Sequence, residues 1–315
     1  MKALTSKKYT ENPFLTVMLF SASWALQIFI TKLGFIAGAQ VLVFHSISIL
    51  TSLIVLAIVF KPKHNGKLRE LFRKKPRLYW KLFFANGIQS GLGTWLSIIG
   101  ISLTAAINAG FLVKLATVTT VIFAWLILKE RLTLIKVLMV ITMLGGAYLL
   151  TTSGKLLVPQ IGDLFILMAC VCWSLGNVLI RKYLQTESVE IETITLQKPI
   201  AGLPVIFLLA GIVTWFPNSS LGSHLVLPGI SMPPVSFYYA IGNGVILALT
   251  WTFLNQTLKV TTASYMTMMS MATPIFVSLL AVIFLHETLE WIQMVGGGMI
   301  ISAGVITYFS DIAKE

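Results

Sequence analysis

Charged residues are scarce in this chain of 315 residues, and acidic residues are the scarcest. Lys, Arg, Asp and Glu together make up 11% of the sequence, only 11 residues are acidic, and 57% are hydrophobic. Soluble domains carry about 25% charged residues. The composition therefore excludes an ordinary soluble domain and predicts an integral membrane protein.

Cysteines and catalytic motifs are also few or missing. The only two cysteines, Cys170 and Cys172, lie two residues apart on a predicted helix and point to different faces, which excludes a disulfide between them. The sequence contains no HExxH, no Gly-x-Ser-x-Gly, no Gly-rich phosphate loop and no cluster of metal ligands. We therefore expect neither an enzyme nor an ATP-driven pump, and no cofactor or metal site.

Long apolar runs are what the sequence does contain. A bilayer span needs about 20 mostly apolar residues, and ten runs of roughly that length follow one another along the chain. The sequence therefore predicts an all-α integral membrane protein with ten transmembrane helices. The predicted spans are 14–32, 40–60, 79–101, 104–128, 133–151, 162–181, 191–214, 235–258, 261–285 and 289–310.

Positive charge is concentrated in the loops on one predicted side of the membrane. If the N-terminus is inside, 19 of the 23 Lys and Arg residues lie inside, nine of them around the loop between the second and third spans, and only Lys32 and Lys155 lie outside. This is the positive-inside pattern, and it predicts a multi-pass protein of the cell (inner) membrane with both termini in the cytoplasm. The net charge of +12 then needs no nucleic acid partner. The basic loop could also contact anionic lipid headgroups, although topology alone accounts for it.

The two halves of the chain repeat each other. The offset is 157 residues over most of each half and 149 residues near its start. Matched pairs are Asn86 and Asn243, Gly87 and Gly244, Glu130 and Glu287, and, at offset 149, Trp24 and Trp173. Each copy holds five spans, so the second starts on the side of the membrane where the first ends. We therefore predict two inverted five-helix repeats, which place a transporter's substrate site near the bilayer midplane. The predicted segments are a cytoplasmic N-terminal segment 1–13, a first repeat 14–151, an external linker 152–161, a second repeat 162–310 and a cytoplasmic tail 311–315.

Short segments in both halves resemble a known family. Ser23-Trp24-Ala25 in one half corresponds to Cys172-Trp173-Ser174 in the other, and the second half carries Ala272-Thr273-Pro274-Ile275-Phe276 before His286-Glu287-Thr288-Leu289. In these segments the chain resembles the EamA-type members of the drug/metabolite transporter superfamily. The resemblance implies ten helices and movement of a small metabolite, in many members the export of amino acids or related compounds.

The first half departs from the family pattern within its fourth span. Where the second half has Pro274, the first has Thr117, so the helix break expected of the family is missing there. Lys114 lies three residues earlier, about ten residues from either end of the span and with no acidic residue at its depth. A charge at that depth costs about 2.5–3.5 kcal/mol, so this side chain must face a polar cavity.

Three interpretations of Lys114 remain open. It binds a carboxylate or phosphate of the substrate, it bonds to helix carbonyls and amides as a structural element, or it changes its protonation state. Lys198, by contrast, is expected to reach the membrane interface or to pair with Glu190 or Glu192.

Polar and aromatic residues at helical spacing on several spans are the other candidates for a substrate site, although bonding between helices is equally open to each of them. The candidate substrate-binding residues are Lys114, Trp24, Gln27, Asn86, Gln89, Asn108, Trp173, Asn177, Asn243 and Tyr265, and the candidate gating residues are Pro199 and Pro274.

These features predict an alternating-access exporter or exchanger of a small metabolite, such as an amino acid or a related amphipathic compound. Its partners would be the lipid bilayer and a small-molecule substrate whose carboxylate or other anionic group meets Lys114. Facilitated diffusion or exchange is favoured, because no acidic residue at the midplane can carry a coupling proton. A carrier of phosphorylated or nucleotide-linked metabolites is the alternative, and a membrane scaffold without transport is less favoured.

Overall fold

The computed structural model of the protein describes residues 12–64, 67–187, 189–215, 233–286 and 288–312. Glu287 and most of the predicted terminal segments lie outside these residues. Helices and short loops account for the described part of the chain, which contains no strand. The helices are α1 (Pro13–Ile36), α2 (Val41–His64), α3 (76–102), α4 (106–128), α5 (Leu134–Thr152), α6 (Ile161–Thr186), α7 (Ile191–Trp215), α8 (Pro234–Val260), α9 (263–285) and α10 (Trp291–Ile312). A short connecting helix, Lys67–Lys74, lies between α2 and α3.

All ten predicted spans are helical. Nine helices of the described chain are long and apolar enough to cross a membrane. The tenth, α3, consists of an α-helix at Pro76–Asn86, a π-helix at Gly87–Gly93 and an α-helix at Thr94–Ser102. These segments follow one another without a turn and pack against α6 and α7, so α3 completes the bundle. A π-helical segment inside a helix often marks a functional site.

Helix packing confirms the inverted repeat. Helix α1 packs along α8 as α6 packs along α3, and α2 packs along α8 as α7 packs along α3. Helix α1 also contacts α9 as α6 contacts α4, while α5 packs on α10 and α4 on α9. Exchanging the first five helices with the last five leaves this set of contacts unchanged. The two halves are therefore related by a pseudo-two-fold axis, as an odd number of spans per repeat requires.

The backbones of α4 and α9 share two irregularities, although α4 alone also contains a π-helical segment, Ala124–Leu128. A 3₁₀ turn interrupts α4 at Val113–Leu115 and α9 at Ser270–Ala272, which are 157 residues apart. Each helix also ends at a residue in the left-handed conformation, Lys129 with φ 59° and His286 with φ 54°. Both irregularities therefore belong to the repeat itself.

The expectation that α4 lacks the break is therefore wrong. A 3₁₀ turn needs only i to i+3 hydrogen bonds, which any residue can make, so Thr117 does not prevent it. Pro274 follows the break in α9, within the first turn of the helical segment Thr273–Leu285. A proline there loses no helical hydrogen bond, because the first N–H groups of a helix have no partner in the helix.

Helices α5 and α10 approach each other most closely at two glycines. A Cβ atom added to Gly146 would lie 2.6 Å from the carbonyl oxygen of Gly296, and one added to Gly296 would lie 2.5 Å from the carbonyl oxygen of Gly146. Small residues let membrane helices pack at short distance, and this packing replaces the hydrophobic driving force available in water. The α5–α10 contact therefore depends on both glycines.

We predict that Gly296→Ala lowers the melting temperature of the purified protein. The added Cβ meets backbone, which cannot move aside, and overpacking of this kind costs about 1–3 kcal/mol. Gly297→Ala is the matched control, because a Cβ there has nothing within 4 Å. This control should be neutral or slightly stabilising, since alanine favours helix by about 1 kcal/mol over glycine. Equal melting temperatures for the two variants would contradict the prediction.

Candidate functional site

A cavity of about 220 Å³ lies between seven helices in the middle of the bundle. Helices α1 to α4 line it from the first half, and α6, α8 and α9 line it from the second. The cavity lies halfway along the helices, because residues at helix centres line it, such as Trp24 in α1, Trp173 in α6 and Lys114 at the 3₁₀ turn of α4. Among the described residues, α5, α7 and α10 contribute none to the lining.

Six of the ten predicted substrate-binding residues line this cavity. They come from four helices and supply a cation, two indole rings and three amides. They are Trp24 and Gln27 on α1, Gln89 on α3, Lys114 on α4, and Trp173 and Asn177 on α6.

The other four predicted residues are buried in contacts away from the cavity. Asn86 donates to Gln197 Oε1 at 3.3 Å, and Asn243 donates to Ser48 Oγ at 3.0 Å. Asn108 donates to the backbone oxygen of Val158 at 2.8 Å and to both carboxylate oxygens of Asp163 at 3.1 and 3.2 Å. Tyr265 lies in a cluster of buried apolar side chains. Buried polar groups in a membrane need partners, and the nitrogens of the three Asn amides find them in neighbouring segments, whereas Asn86 Oδ1 has none within the described chain.

Equivalent positions of the two repeats face the cavity, but they carry different chemistry. On α3 and α4 four of these positions are polar, and their partners on α8 and α9 are apolar. The pairs are Ser90 and Leu247, Thr94 and Trp251, Ser97 and Leu254, and Lys114 and Met271. We refer to these four residues of the first half as the polar wall and to their four partners as the apolar wall. The pair Val113 and Ser270 has the reverse order, and Thr250 and Thr267 add hydroxyl groups from the second half.

Three aromatic residues of the lining, Phe20, His45 and Trp251, are not among the predicted residues. The repeat offset relates Trp251 to Thr94, which lies one turn after Ser90 on α3. His45 corresponds at offset 149 to Ile194, which gives no comparable signal.

Lys114 carries the only Lys or Arg side chain in the described lining. Its exposed fraction is 8%, and its Nζ atom lies 5.0 Å from the centre of the Trp24 ring. The part of the cavity wall that the structure describes contains no Asp or Glu. The ring face attracts a cation, by about 2 kcal/mol when both are desolvated, but it does not neutralise the charge. The cavity is therefore electropositive at Lys114.

Lys198 lies behind the polar wall. Its side chain is fully buried, and its Nζ donates to Gln89 Oε1. The expectation that Lys198 reaches the interface or pairs with Glu190 or Glu192 is therefore wrong. Its position is about eight residues, or about 12 Å, into α7, and the amide of Gln89 gives it a partner at that depth.

A chain of hydrogen bonds leads from Lys198 to the cavity. Gln89 accepts from Lys198 with its oxygen and donates with Nε2 to Asn177 Oδ1. Because a lysine ammonium can only donate, these bonds fix the orientation of both amides and leave the Asn177 nitrogen as a donor at the cavity. The close approach depends on Gly176, where a Cβ would lie 2.5 Å from Gln89 Cβ.

One end of the cavity is sealed. At the basic end, where α2, α4, α6 and α8 finish, Glu130 of the first half accepts from the N–H groups of Ala263 and Ser264 at the start of α9, at 2.8 and 3.1 Å. Arg181 donates to the carbonyl oxygens of Leu258 and Lys259 at 2.6 and 2.7 Å. Both contacts place a charge where the helix dipole favours it.

Apolar packing lies between these contacts and the cavity. Phe20, Leu254 and Met266 line the cavity and belong to the same buried cluster as Leu258 and Ala263. On the surface of this end, Lys75 pairs with Glu187 at 2.9 Å and Lys67 pairs with Glu190, again between the halves.

Comparison with known proteins agrees with two copies of one domain. A family model described as the EamA-like transporter family matches residues 13–152 and again residues 160–309. A solved structure titled only "Crystal structure of protein" is similar over 98% of this chain and 100% of its own, with a TM-score of 0.76 and 16% sequence identity. That likeness shows the fold alone. No curated protein matches.

We predict that Glu130→Gln opens the basic end of the cavity more often. The variant loses the charge that strengthens two hydrogen bonds to α9, and hydrogen bonds to charged groups contribute about 1.5–3 kcal/mol each. The measurement is the labelling rate of Thr94→Cys by an impermeant thiol reagent applied to the basic end in sealed vesicles, with Cys170 and Cys172 replaced by Ala. Glu70→Gln is the control, since Glu70 pairs only locally with Lys74. Faster labelling is expected for Glu130→Gln alone, and unchanged labelling would show that Glu130 does not maintain the seal.

Proposed function

The chain belongs to the EamA-like transporter family, whose members transport small solutes across membranes, and from this premise we propose that it carries a small amphipathic carboxylate by alternating access. Amino acids and related compounds are the class of solute that we infer. The binding site is the cavity shared by the two halves, where inverted-repeat transporters hold their substrates.

The observation that carries this proposal is Lys114 in a cavity without an acidic partner. A buried charge that lacks a counter-ion is costly, and a bound anion removes that cost. A carboxylate at Lys114 could also accept hydrogen bonds from the hydroxyl groups of the polar wall, which belong to Ser90, Thr94 and Ser97. The Asn177 amide, held by Lys198 and Gln89, offers a further N–H donor.

The apolar wall supports an amphipathic substrate. Leu247, Trp251, Leu254 and Met271 offer apolar surface in the same cavity as Lys114, and Trp24 and Trp173 add two flat ring faces. A solute with an anionic head and an apolar body therefore satisfies both walls at once. The ammonium group of an amino acid has no carboxylate to meet there, and ring faces and amide oxygens would receive it.

A phosphorylated or nucleotide-linked substrate fits less well. A phosphate with two charges favours a second cation at the cavity, and Lys198 lies behind Gln89 and outside the described lining. We therefore keep the carboxylate as the proposed anionic group.

The sealed end sets the proposed direction of access. We assign the basic end to the cytoplasm of the inner membrane by the positive-inside rule, so that the conformation described here is closed to the cytoplasm. Pro274, beside the 3₁₀ turn of α9, lies where bending would move a cavity wall. Pro199 follows Lys198 within α7, and bending there would act on the cavity only through the lining helices that α7 packs against. We propose exchange or facilitated diffusion, because the described lining offers no carboxylate as a proton carrier.

We predict that Lys114→Met weakens the binding of carboxylates at least about tenfold, which equals about 1.4 kcal/mol. The measurement is the ligand-induced thermal shift with three matched ligands, namely an amino acid, the same acid without its amino group, and the corresponding amine. The two acids should stabilise the wild type and lose this effect in the variant, whereas the amine should stabilise neither.

Lys136→Met is the matched control, because Lys136 is buried on α5 and does not line the cavity. It should leave all three responses unchanged. If Lys114→Met retains the full thermal shift with both acids, Lys114 does not bind the substrate and the proposal fails.

We also predict that Lys198→Met raises the KM for the transported carboxylate by about 3- to 10-fold, the equivalent of one hydrogen bond of about 0.5–1.5 kcal/mol. The Gln89 amide is then free to turn, and the Asn177 nitrogen is no longer held as a donor. The measurement is transport into liposomes, with KM and kcat determined separately. Lys198→Gln keeps a donor without the charge and should recover most of the affinity. Equal defects in both variants would assign the effect to charge rather than to amide orientation.

A further inference from the structure

A second cavity lies on the surface of the basic end. Its volume is about 580 Å³, and it is enclosed by the end of the connecting helix, the start of α3 and the end of α6. Five cations line it. They are Lys74, Lys75, Arg77 and Lys81 from the first half and Lys182 from the second half. We refer to this cavity as the basic pocket.

Acidic residues do not neutralise the basic pocket. Glu187 is the only acidic residue in its described lining, and it pairs with Lys75 at 2.9 Å. Lys74 pairs with Glu70 at 2.6 Å. No ion pair joins Arg77, Lys81 or Lys182 to any acidic residue of the described chain. Three cations therefore remain available to an anion.

Aromatic residues place the basic pocket at the depth of lipid headgroups. Trp80 and Phe84, one and two turns into α3 from the pocket, are 46% and 65% exposed, and Phe72 on the connecting helix is 47% exposed. Trp80 is in ring contact with Phe72 and with Phe84. An exposed Trp such as Trp80 is typical of the boundary between headgroups and acyl chains. The cations beside Trp80 therefore lie at the level of the phosphates.

The cations of the basic pocket are more ordered in space than the positive-inside rule requires. A positive-inside signal needs only a number of cations on one side of the membrane, in any arrangement. Here cations from both halves converge on one concave surface, because Lys182 from the end of α6 faces Arg77 and Lys81 from the start of α3. Convergent cations are the arrangement that recognises a phosphate.

We propose that the basic pocket binds the phosphate headgroup of an anionic phospholipid from the leaflet that it faces. Arg77, Lys81 and Lys182 donate to the phosphate oxygens, and the acyl chains lie along the exposed Trp80 and Phe84. The lipid bridges the same two halves that Lys75 and Glu187 join. It therefore stabilises the sealed state of the basic end.

The test compares two double variants that lose the same charge from the same end of the protein. Arg77→Gln with Lys182→Gln removes two positive side chains from the lining of the basic pocket, one from each half. Arg69→Gln with Arg73→Gln removes two exposed cations of the connecting helix that do not line the pocket. Melting temperatures are measured in neutral detergent with added phosphatidylcholine, phosphatidylglycerol or glycerol phosphate.

Phosphatidylglycerol should raise the melting temperature of the wild type and of the connecting-helix variant, and this rise should fall by at least half in the pocket variant. An equal loss in the two double variants would show general surface attraction and overturn the proposal. A full rise with glycerol phosphate alone would assign the pocket to a free phosphate, and an equal rise with phosphatidylcholine would remove the requirement for an anionic headgroup. If the pocket variant is unstable in neutral lipid, Lys182→Gln against Arg73→Gln gives the same comparison with one charge each.

Discussion

The cost of holding lysine side chains in the interior of a membrane protein determines how this structure is organised. Lys114 and Lys198 are both buried at depth, and neither meets a carboxylate within the described chain. Each is instead stabilised by weaker groups, the ring face of Trp24 in one case and the amide of Gln89 in the other. Polar partners must therefore gather around both lysines. The π-helical segment of α3 and the close approach at Gly176 place one set of those partners.

The sequence predicts the spans, the inverted repeat and the position of Lys114 at a polar cavity, because each has a signal that can be read directly from the residues. Apolar length predicts a span, a fixed offset predicts the repeat, and a lysine in the middle of a span predicts a polar cavity. Six of the ten predicted site residues line the cavity for this reason.

The rest depends on contacts between distant residues. Lys198 meets Gln89 across 109 positions of the chain, and the sequence around neither residue reports that meeting. The sequence does not predict the break in α4, because proline is the local signal for a break and α4 has Thr117 there, whereas the same 3₁₀ turn occurs in both repeats with and without proline. At this turn the backbone thus follows the repeat although the side chains differ. A side chain at an equivalent position is free to differ, and in the cavity it does.

The division of the cavity into a polar and an apolar wall has a mechanical consequence. The polar wall is carried by α3 and α4 and the apolar wall by α8 and α9, so the two walls belong to different halves of the molecule. In the proposed alternating-access mechanism, a solute that touches both at once would be a temporary cross-link between two parts that move past each other. A bare inorganic anion at Lys114 would contact chiefly the polar wall, and a hydrocarbon chiefly the apolar wall. The solute's own length, from its charged head to the end of its apolar body, would then decide how far the halves come together around it.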